Sequence, residues 1–207
     1  MTRDKLDTAQ YKYPLLIVIS GYSGVGKDAT LDRMKKAGFP FHRVLTATTR
    51  PKRQGENDGV DYHFLSEGKF RQMIKANQFL EWAEVYGNYY GVPKQEVREA
   101  LKKGQDTIVK VDVQGAATIK QVLPDAVFIF LMPPSMSELV NRLEQRYGLA
   151  SAELDLRLSK AQEEMKSLPL FDYVVINHTD DLDLTVNQIS AIVAAEKCRI
   201  KPRVVKL

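Results

Sequence analysis

Residues 15–36 read LLIVISGYSGVGKDATLDRMKK, and this stretch decides the fold. Positions 15–20 are apolar without alternation, as in a strand buried on both faces of a parallel sheet. Positions 28–36 are spaced as a helix, with Ala29, Leu31 and Met34 uncharged, and Gly38 and Pro40 stop it. Between strand and helix, GYSGVGK matches the pattern G-x-x-x-x-G-K at Gly21, Gly26 and Lys27. Glycines let such a loop curl until several backbone N–H groups converge on phosphate oxygens, and the helix start adds its dipole. Lys27 then supplies a point charge to the terminal phosphates. Asp28 departs from the pattern, which has Ser or Thr there as a Mg²⁺ ligand. A carboxylate repels phosphates unless a cation lies between them. Two readings of Asp28 stay open: part of a Mg²⁺ shell, or an outward-facing helix cap.

Working outward, short strands are predicted at 44–47, 107–113, 127–132 and 171–177. Helices are predicted at 66–77, 94–103, 114–121, 153–168 and 184–197. A further helix starts after Ser135, which caps it with Glu138 as capping-box partner. Residues 48–61 are polar, with a turn at Asp58-Gly59, and the aromatic stretch 78–91 reads as short strands or a hairpin. Strands alternating with helices predict an α/β core with a parallel sheet, into which 46–98 is inserted as a lobe of different character.

The chain has 207 residues, 44% hydrophobic and 27% charged, which suits one compact domain with inserted lobes. The net charge is +4. The basic residues are spread along the chain instead of forming a stripe, which argues against a nucleic-acid binder. The dense set Lys197, Arg199, Lys201, Arg203 and Lys206 alternates with apolar residues and reads as a solvated helix end and tail. A lone cysteine, Cys198, excludes a disulfide scaffold and fits a reducing cytoplasm. The first residues, MTRDKLDTAQYKYP, lack the apolar core of a signal peptide, and no run approaches a membrane span.

A second anion site is indicated by TTRPKR at 48–53. Guanidinium forks such as Arg50 and Arg53 grip phosphate in pairs of hydrogen bonds, and a hydroxyl at Thr46 or Tyr62 can complete the grip. The P-loop already accounts for one nucleotide, so a second cluster points to an acceptor's phosphate. A plain solvated basic face fits the same composition.

The chain from about 15 to 197 resembles a guanylate kinase. The resemblance is carried by GYSGVGK at 21–27, TTRPKRQGENDGVDYHF at 48–64 and EWAEVYGNYYG at 81–91. VDVQGA at 111–116, FIFLMPP at 128–134, the pair Arg142 and Arg146, and FDYVVIN at 171–177 complete it. It implies a P-loop nucleoside monophosphate kinase fold: core at 1–45, GMP-binding lobe at 46–98, core at 99–140, lid region at 141–157, and core with C-terminal tail at 158–207. It implies transfer of the γ-phosphoryl group of ATP to GMP in the cytoplasm, for purine nucleotide metabolism. Mg²⁺ is the implied cofactor and dGMP a further acceptor; no nucleic acid, membrane or obligate protein partner is implied.

Residue by residue, the resemblance puts ATP on Gly21, Tyr22, Ser23, Gly24, Val25, Gly26, Lys27 and Asp28, with Asn177 near the adenine. It puts the GMP phosphate on Arg50, Arg53, Tyr62 and Tyr90, with Thr46 where Ser is frequent, and Glu81 on the guanine edge. Asp112 falls near the acceptor and, with Asp28, near the Mg²⁺ water shell. Lys27, Arg50, Arg142, Arg146 and Arg157 are the implied catalytic cations. Three departures stand out. Val92 replaces the hydroxyl residue that donates to guanine O6, Lys110 stands where an acid is usual, and Tyr22 stands where Pro is common. Rival readings are a kinase for another phosphorylated small molecule, such as ribose 1,5-bisphosphate, and a non-catalytic scaffold module. Glu81 argues against the first, and retention of Lys27, Arg50, Arg53 and Arg146 against the second.

Overall fold

The computed structural model describes residues 13–85, 87–147, 159, 161, 163–178 and 180–207, without the side chains of 146 and 147. In chain order its elements begin with β1 (Leu16–Gly21), α1 (Lys27–Lys36), β2 (His42–Arg43), β3 (Ala47–Thr48), β4 (His63–Phe64) and α2 (Glu67–Lys75). They continue with β5 (Phe79–Val85), β6 (Asn88–Pro93), α3 (Lys94–Lys102), β7 (Thr107–Lys110), α4 (Val113–Val122) and β8 (Val127–Met132). α5 (Met136–Tyr147), a 3₁₀ turn at Leu168–Leu170, β9 (Tyr173–Ile176) and α6 (Leu182–Lys197) complete the described elements.

The core sheet runs in the order β2-β7-β1-β8-β9, and every pair in it is parallel. Side chains of a strand alternate between its faces, and β1 follows this rule. Ile17 and Ile19 join Leu31 and Met34 of α1 and Ile189 of α6 on one face. Leu16 and Val18 join Val97 of α3 and Ile119 of α4 on the other. Both faces are buried, which is why the strand reads as an unbroken apolar run.

A second sheet runs β4-β3-β6-β5, antiparallel except for β3 with β4. It has its own small cluster of Ala47, Phe70 and Phe79. Phe70 stacks on Phe79 at 4.3 Å between ring centroids. Gly91 makes room for both, since a Cβ there would stand 2.8 Å from Phe79 and 3.0 Å from Phe70.

Three expectations are corrected. The single strand expected at 44–47 does not form: β2 ends at Arg43 on the edge of the core sheet, β3 begins at Ala47 in the second sheet, and 44–46 link them. Val44 is buried in the core and Ala47 in the other cluster, so two hydrophobic clusters pull one segment apart. The strand expected to reach 113 ends at Lys110, because Asp112 turns to cap α4, accepting from Gly115 N at 2.8 Å. The C-terminal basic set is not all solvated. Lys197 pairs with Asp106 at 2.8 Å, and Arg203 donates to the fully buried Glu196 at 2.9 Å and to Ala126 O at 3.1 Å. Ser135 caps α5 as expected, accepting from Glu138 N at 3.1 Å. Half of the helix expected at 153–168 lies outside the described residues.

Candidate active site

A cleft of about 510 Å³ opens where β1 and β7 end, between the core sheet and the second sheet. In open α/β sheets this is where ligands bind. The loop from Gly21 to Asp28 forms one wall, and Thr46, Tyr62, Glu81, Tyr90, Lys110 and Asp112 face it.

The loop is shaped by its glycines. Gly21, Gly24 and Gly26 have φ of 143°, 83° and 98°, a region that side chains disfavour. A Cβ on Gly26 would also stand 2.5 Å from Asn177 Nδ2. Lys27 folds back across the loop and donates to Gly21 O at 2.5 Å and Tyr22 O at 3.1 Å. Burial lowers its pKa to about 8, aided by Lys110 and opposed by Glu164, Asp28 and Asp112. The Tyr22 ring is buried in the core, edge-on to Phe130 at 5.2 Å, so its backbone is what it offers a phosphate.

The back of the loop is clamped. Val25 O accepts from Asn177 Nδ2 at 2.7 Å and from Arg142 Nη1 at 3.0 Å. Arg142 also donates to Asn177 O at 2.7 Å and pairs with Glu138. Arg142 lines a second depression of about 480 Å³, with Glu138, Asn141, His178 and Asp180. The Arg146 side chain and Arg157 lie outside the described residues.

Asp28 lies within the first turn of α1, and the N-cap is Gly26, so the cap reading of Asp28 does not hold. Its Oδ1 accepts from Lys110 Nζ and from Arg43 Nη2, each at 2.6 Å. Burial opposes its ionisation, yet Lys110, Arg43 and Lys27 hold its carboxyl below the usual range.

Across the cleft, the Tyr62 and Tyr90 rings lie 6.3 Å apart, and the Arg50 guanidinium stands 5.5 Å from the Tyr62 ring. Arg50 is only 13% exposed and pairs with Glu56 at 2.7 Å. Glu56 also accepts from Arg53 N at 2.8 Å and so closes the loop. Arg50 is therefore no solvated surface charge, whereas Arg53 is exposed.

Glu81 is 5% exposed. Phe79 pairs with Pro93 and Glu81 with Val92, which leaves Leu80 as the extra residue of a β-bulge. The bulge permits Phe79 to pack against Phe70 while Glu81 faces the cleft. Burial, and secondarily Asp112, raises the Glu81 pKa to about 8, so the acid is mostly protonated at pH 7. Val92, its partner in the register, is buried in the core.

Sequence reasoning missed Glu164, which also lines the cleft, and Arg43, which pairs with Asp28. Glu164 sits in a polar helical stretch, and Arg43 is on a two-residue edge strand. Neither belongs to a spacing pattern.

A phosphate-loop motif at the head of a parallel sheet, facing the Tyr62–Tyr90 wall across one cleft, is the arrangement of a P-loop phosphotransferase. The model of the family described as guanylate kinase matches residues 13–196. The chain is 45% identical over 195 residues to guanylate kinase 2, chloroplastic/mitochondrial, of Oryza sativa subsp. japonica, covering 94% of this chain and 68% of that one. It is 45% identical over 189 residues to the guanylate kinase of Caldanaerobacter subterraneus subsp. tengcongensis, covering 91% of each. Among solved structures, the guanylate kinase from Anaplasma phagocytophilum superposes with a TM-score of 0.74 at 29% identity, over 91% of this chain and 89% of that one. The chain belongs to the guanylate kinase family.

Proposed function

We propose that this chain transfers the γ-phosphoryl group of ATP to GMP, giving ADP and GDP, with the cleft residues in the roles the family resemblance implies. The observation that carries the reading is the placement of Lys27 and Glu81 on the same cleft, one in a phosphate loop and the other a buried acid. An ionised carboxylate accepts from guanine N1–H and the 2-amino group together, and adenine offers no such pair. GMP therefore draws Glu81 into its charged form as it binds. dGMP presents the same edge.

Phosphoryl transfer depends on alignment and charge neutralisation. Lys27 and the loop amides hold the donor, Lys27 exchanging its bonds to Gly21 O and Tyr22 O for phosphate oxygens. Tyr62, Tyr90, Arg50 and Arg53 hold the acceptor phosphate, Arg50 already oriented by Glu56. Arg142 holds the loop from behind through Val25 O and Asn177 O, and Arg146 and Arg157 are assigned to the travelling charge by resemblance. The acceptor is already an anion, so no general base is needed.

The family works on the Mg²⁺ complex of ATP. Among the described residues no group of three or more His, Cys, Asp or Glu side chains gathers to hold a cation. The donor set fits an ion carried by the nucleotide phosphates and reached through its waters by Asp112. Asp28 Oδ1 already accepts from two cations, which leaves Oδ2 as the oxygen that would face the ion or its waters. When bound, the ion would neutralise charge on the transferring phosphate.

Among the described residues no helix is long and apolar enough to cross a membrane. The single cysteine, exposed and free, fits the cytoplasm as the proposed location. The deciding experiment offers the protein ATP and Mg²⁺ with GMP, dGMP, AMP or ribose 1,5-bisphosphate. GDP formation at the highest kcat/KM supports the reading. A preference for the ribose bisphosphate, or no product with any acceptor, overturns it.

A further inference from the structure

Asp28 and Lys110 are both departures from their family pattern, and they touch. The loop position expected to carry a hydroxyl carries a carboxylate, and the β7 position expected to carry an acid carries an ammonium. They are 82 positions apart in the chain, yet Lys110 Nζ and Asp28 Oδ1 are 2.6 Å apart. Without Asp28, Lys110 would lose its carboxylate partner in the cleft. Together they make the pair one charge unit more positive than that pattern and place a cation on the side of β7 where an anion was expected.

The surroundings of that cation say more than neutralisation. The Lys110 side chain is 14% exposed, while Asp28 is 47% exposed and already has a second partner in Arg43 at 2.6 Å. Arg43 suffices to satisfy the carboxylate. Lys110 Nζ also lies 3.5 Å from the Tyr62 hydroxyl and 5.3 Å from the centre of its ring. An ammonium has three donors. One is spent on Asp28 and a second is directed at Tyr62, while the side chain lines the cleft between the phosphate loop and the Tyr62–Tyr90 wall. A group at this junction meets the phosphate gripped by Tyr62.

We propose that Lys110 is a further substrate-binding cation, which contacts the acceptor's phosphate beside Tyr62, with Asp28 as the positioning residue that holds its ammonium there. The proposal rests on the assignment of the Tyr62 wall to the acceptor monophosphate. It gives the acceptor site a cation supplied by the core sheet, in addition to Arg50 and Arg53 of the lobe, so the acceptor phosphate is held from both sides of the cleft. It also explains why Asp28 is acceptable next to phosphates: its charge is spent on two protein cations.

The test uses equilibrium binding of GMP alone, by calorimetry with EDTA and no ATP, so that neither turnover nor metal enters the signal. Three proteins are compared: wild type, K110M and the charge-balanced D28S/K110M, each checked by circular dichroism and thermal melting. Loss of a charged hydrogen bond to the phosphate weakens GMP binding by about 10- to 100-fold. The expected result is that weakening in both variants, with steady-state KM for ATP moved far less than KM for GMP. Wild-type-like affinity in D28S/K110M would mean that Lys110 only neutralises Asp28, and would overturn the proposal. Unchanged affinity in K110M would overturn it equally. If the wild-type protein itself fails to bind GMP while it binds ATP, the assignment of the acceptor wall fails, and this proposal falls with it.

Discussion

Glu81 Oε2 lies 2.9 Å from the point where a Cβ on Gly115 would stand. The first turn of α4 therefore comes close to the proposed guanine-binding carboxylate because residue 115 has no side chain. Its backbone is in the ordinary helical region, so the absent side chain matters here, and not a left-handed turn.

Gly115→Ala is thus expected to separate stability from function. Alanine favours a helix over glycine by about 1 kcal/mol. The tight contacts with Glu81 and, at 3.1 Å, with Val111 Cβ oppose this gain, so the melting temperature should stay within a few degrees of wild type. The displaced carboxylate should raise KM for GMP by roughly 10-fold, the value of a lost charged hydrogen bond, with KM for ATP unchanged. Thermal melts and steady-state kinetics check both halves. An unchanged KM for GMP would mean that Glu81 tolerates the methyl group or does not read the base.

The Glu81 carboxyl gives a pH signature. Its pKa rises from 4.5 to about 8 in the folded protein. The stability that a raised carboxyl pKa contributes is fully present below the unfolded value and lost as pH rises through the folded one. Wild type should therefore lose stability relative to Glu81→Gln between about pH 5 and pH 8, as melting curves of both proteins across that range will show. Guanine needs the ionised form, so GMP binding at pH 7 should release up to about one proton, read by calorimetry in buffers of different ionisation enthalpy. In Glu81→Gln that release should vanish, and the preference for GMP over AMP should narrow by about 10- to 100-fold. Proton-neutral binding by wild type would exclude ionisation of Glu81 by the base.

Lys27→Ala should cost turnover far more than folding. The lysine donates to two loop carbonyls, but its lowered pKa shows that burying the ammonium is itself unfavourable. These effects offset one another, and the far-ultraviolet spectrum and melting temperature should remain close to wild type. Turnover should fall by about 10²-fold or more, as expected when a charge on the transferring group is removed. A mutant that keeps near-normal kcat would contradict the assignment of the loop.

Arg203→Ala should destabilise the fold without touching the cleft. Burial opposes ionisation of Glu196, but hydrogen bonds from Arg203 and Tyr173 hold its carboxyl below the usual range. Removing the arginine leaves the buried acid with only the half-exposed Arg199, 3.5 Å away, as a charge partner, at a cost of up to about 3–5 kcal/mol. The paired replacement Glu196→Leu with Arg203→Met should recover most of that loss. Chemical denaturation of the single and double variants tests it; a single variant as stable as wild type would show that the tail does not depend on this pair.

How much of this was legible in the sequence varies with the range of the interactions involved. The loop at 21–27 could be read because strand, glycines and helix are adjacent in the chain, and the structure has them in that order. The alternation of strands and helices likewise gave the parallel core. The passage of 44–47 from one sheet to the other could not be read, because Val44 and Ala47 answer to different apolar clusters far away in the chain. The exposed Arg53 and the enclosed Arg50 sit three residues apart in one polar stretch, and only the position of Glu56 and the Tyr62 ring separates them.

The sequence by itself determined the class of chemistry: local backbone requirements place Gly21, Gly26 and Lys27 at fixed spacing, and nothing distant is needed to recognise them. Only the tertiary structure decided what the charges do. Asp28 became a partner of Lys110 and Arg43 because α1 begins beside the ends of β2 and β7. Glu81 became a neutral acid because a β-bulge and Gly115 enclose it near Asp112. Ionisation and pairing depend on distance through space and on exclusion of water, and neither is a property of position along the chain.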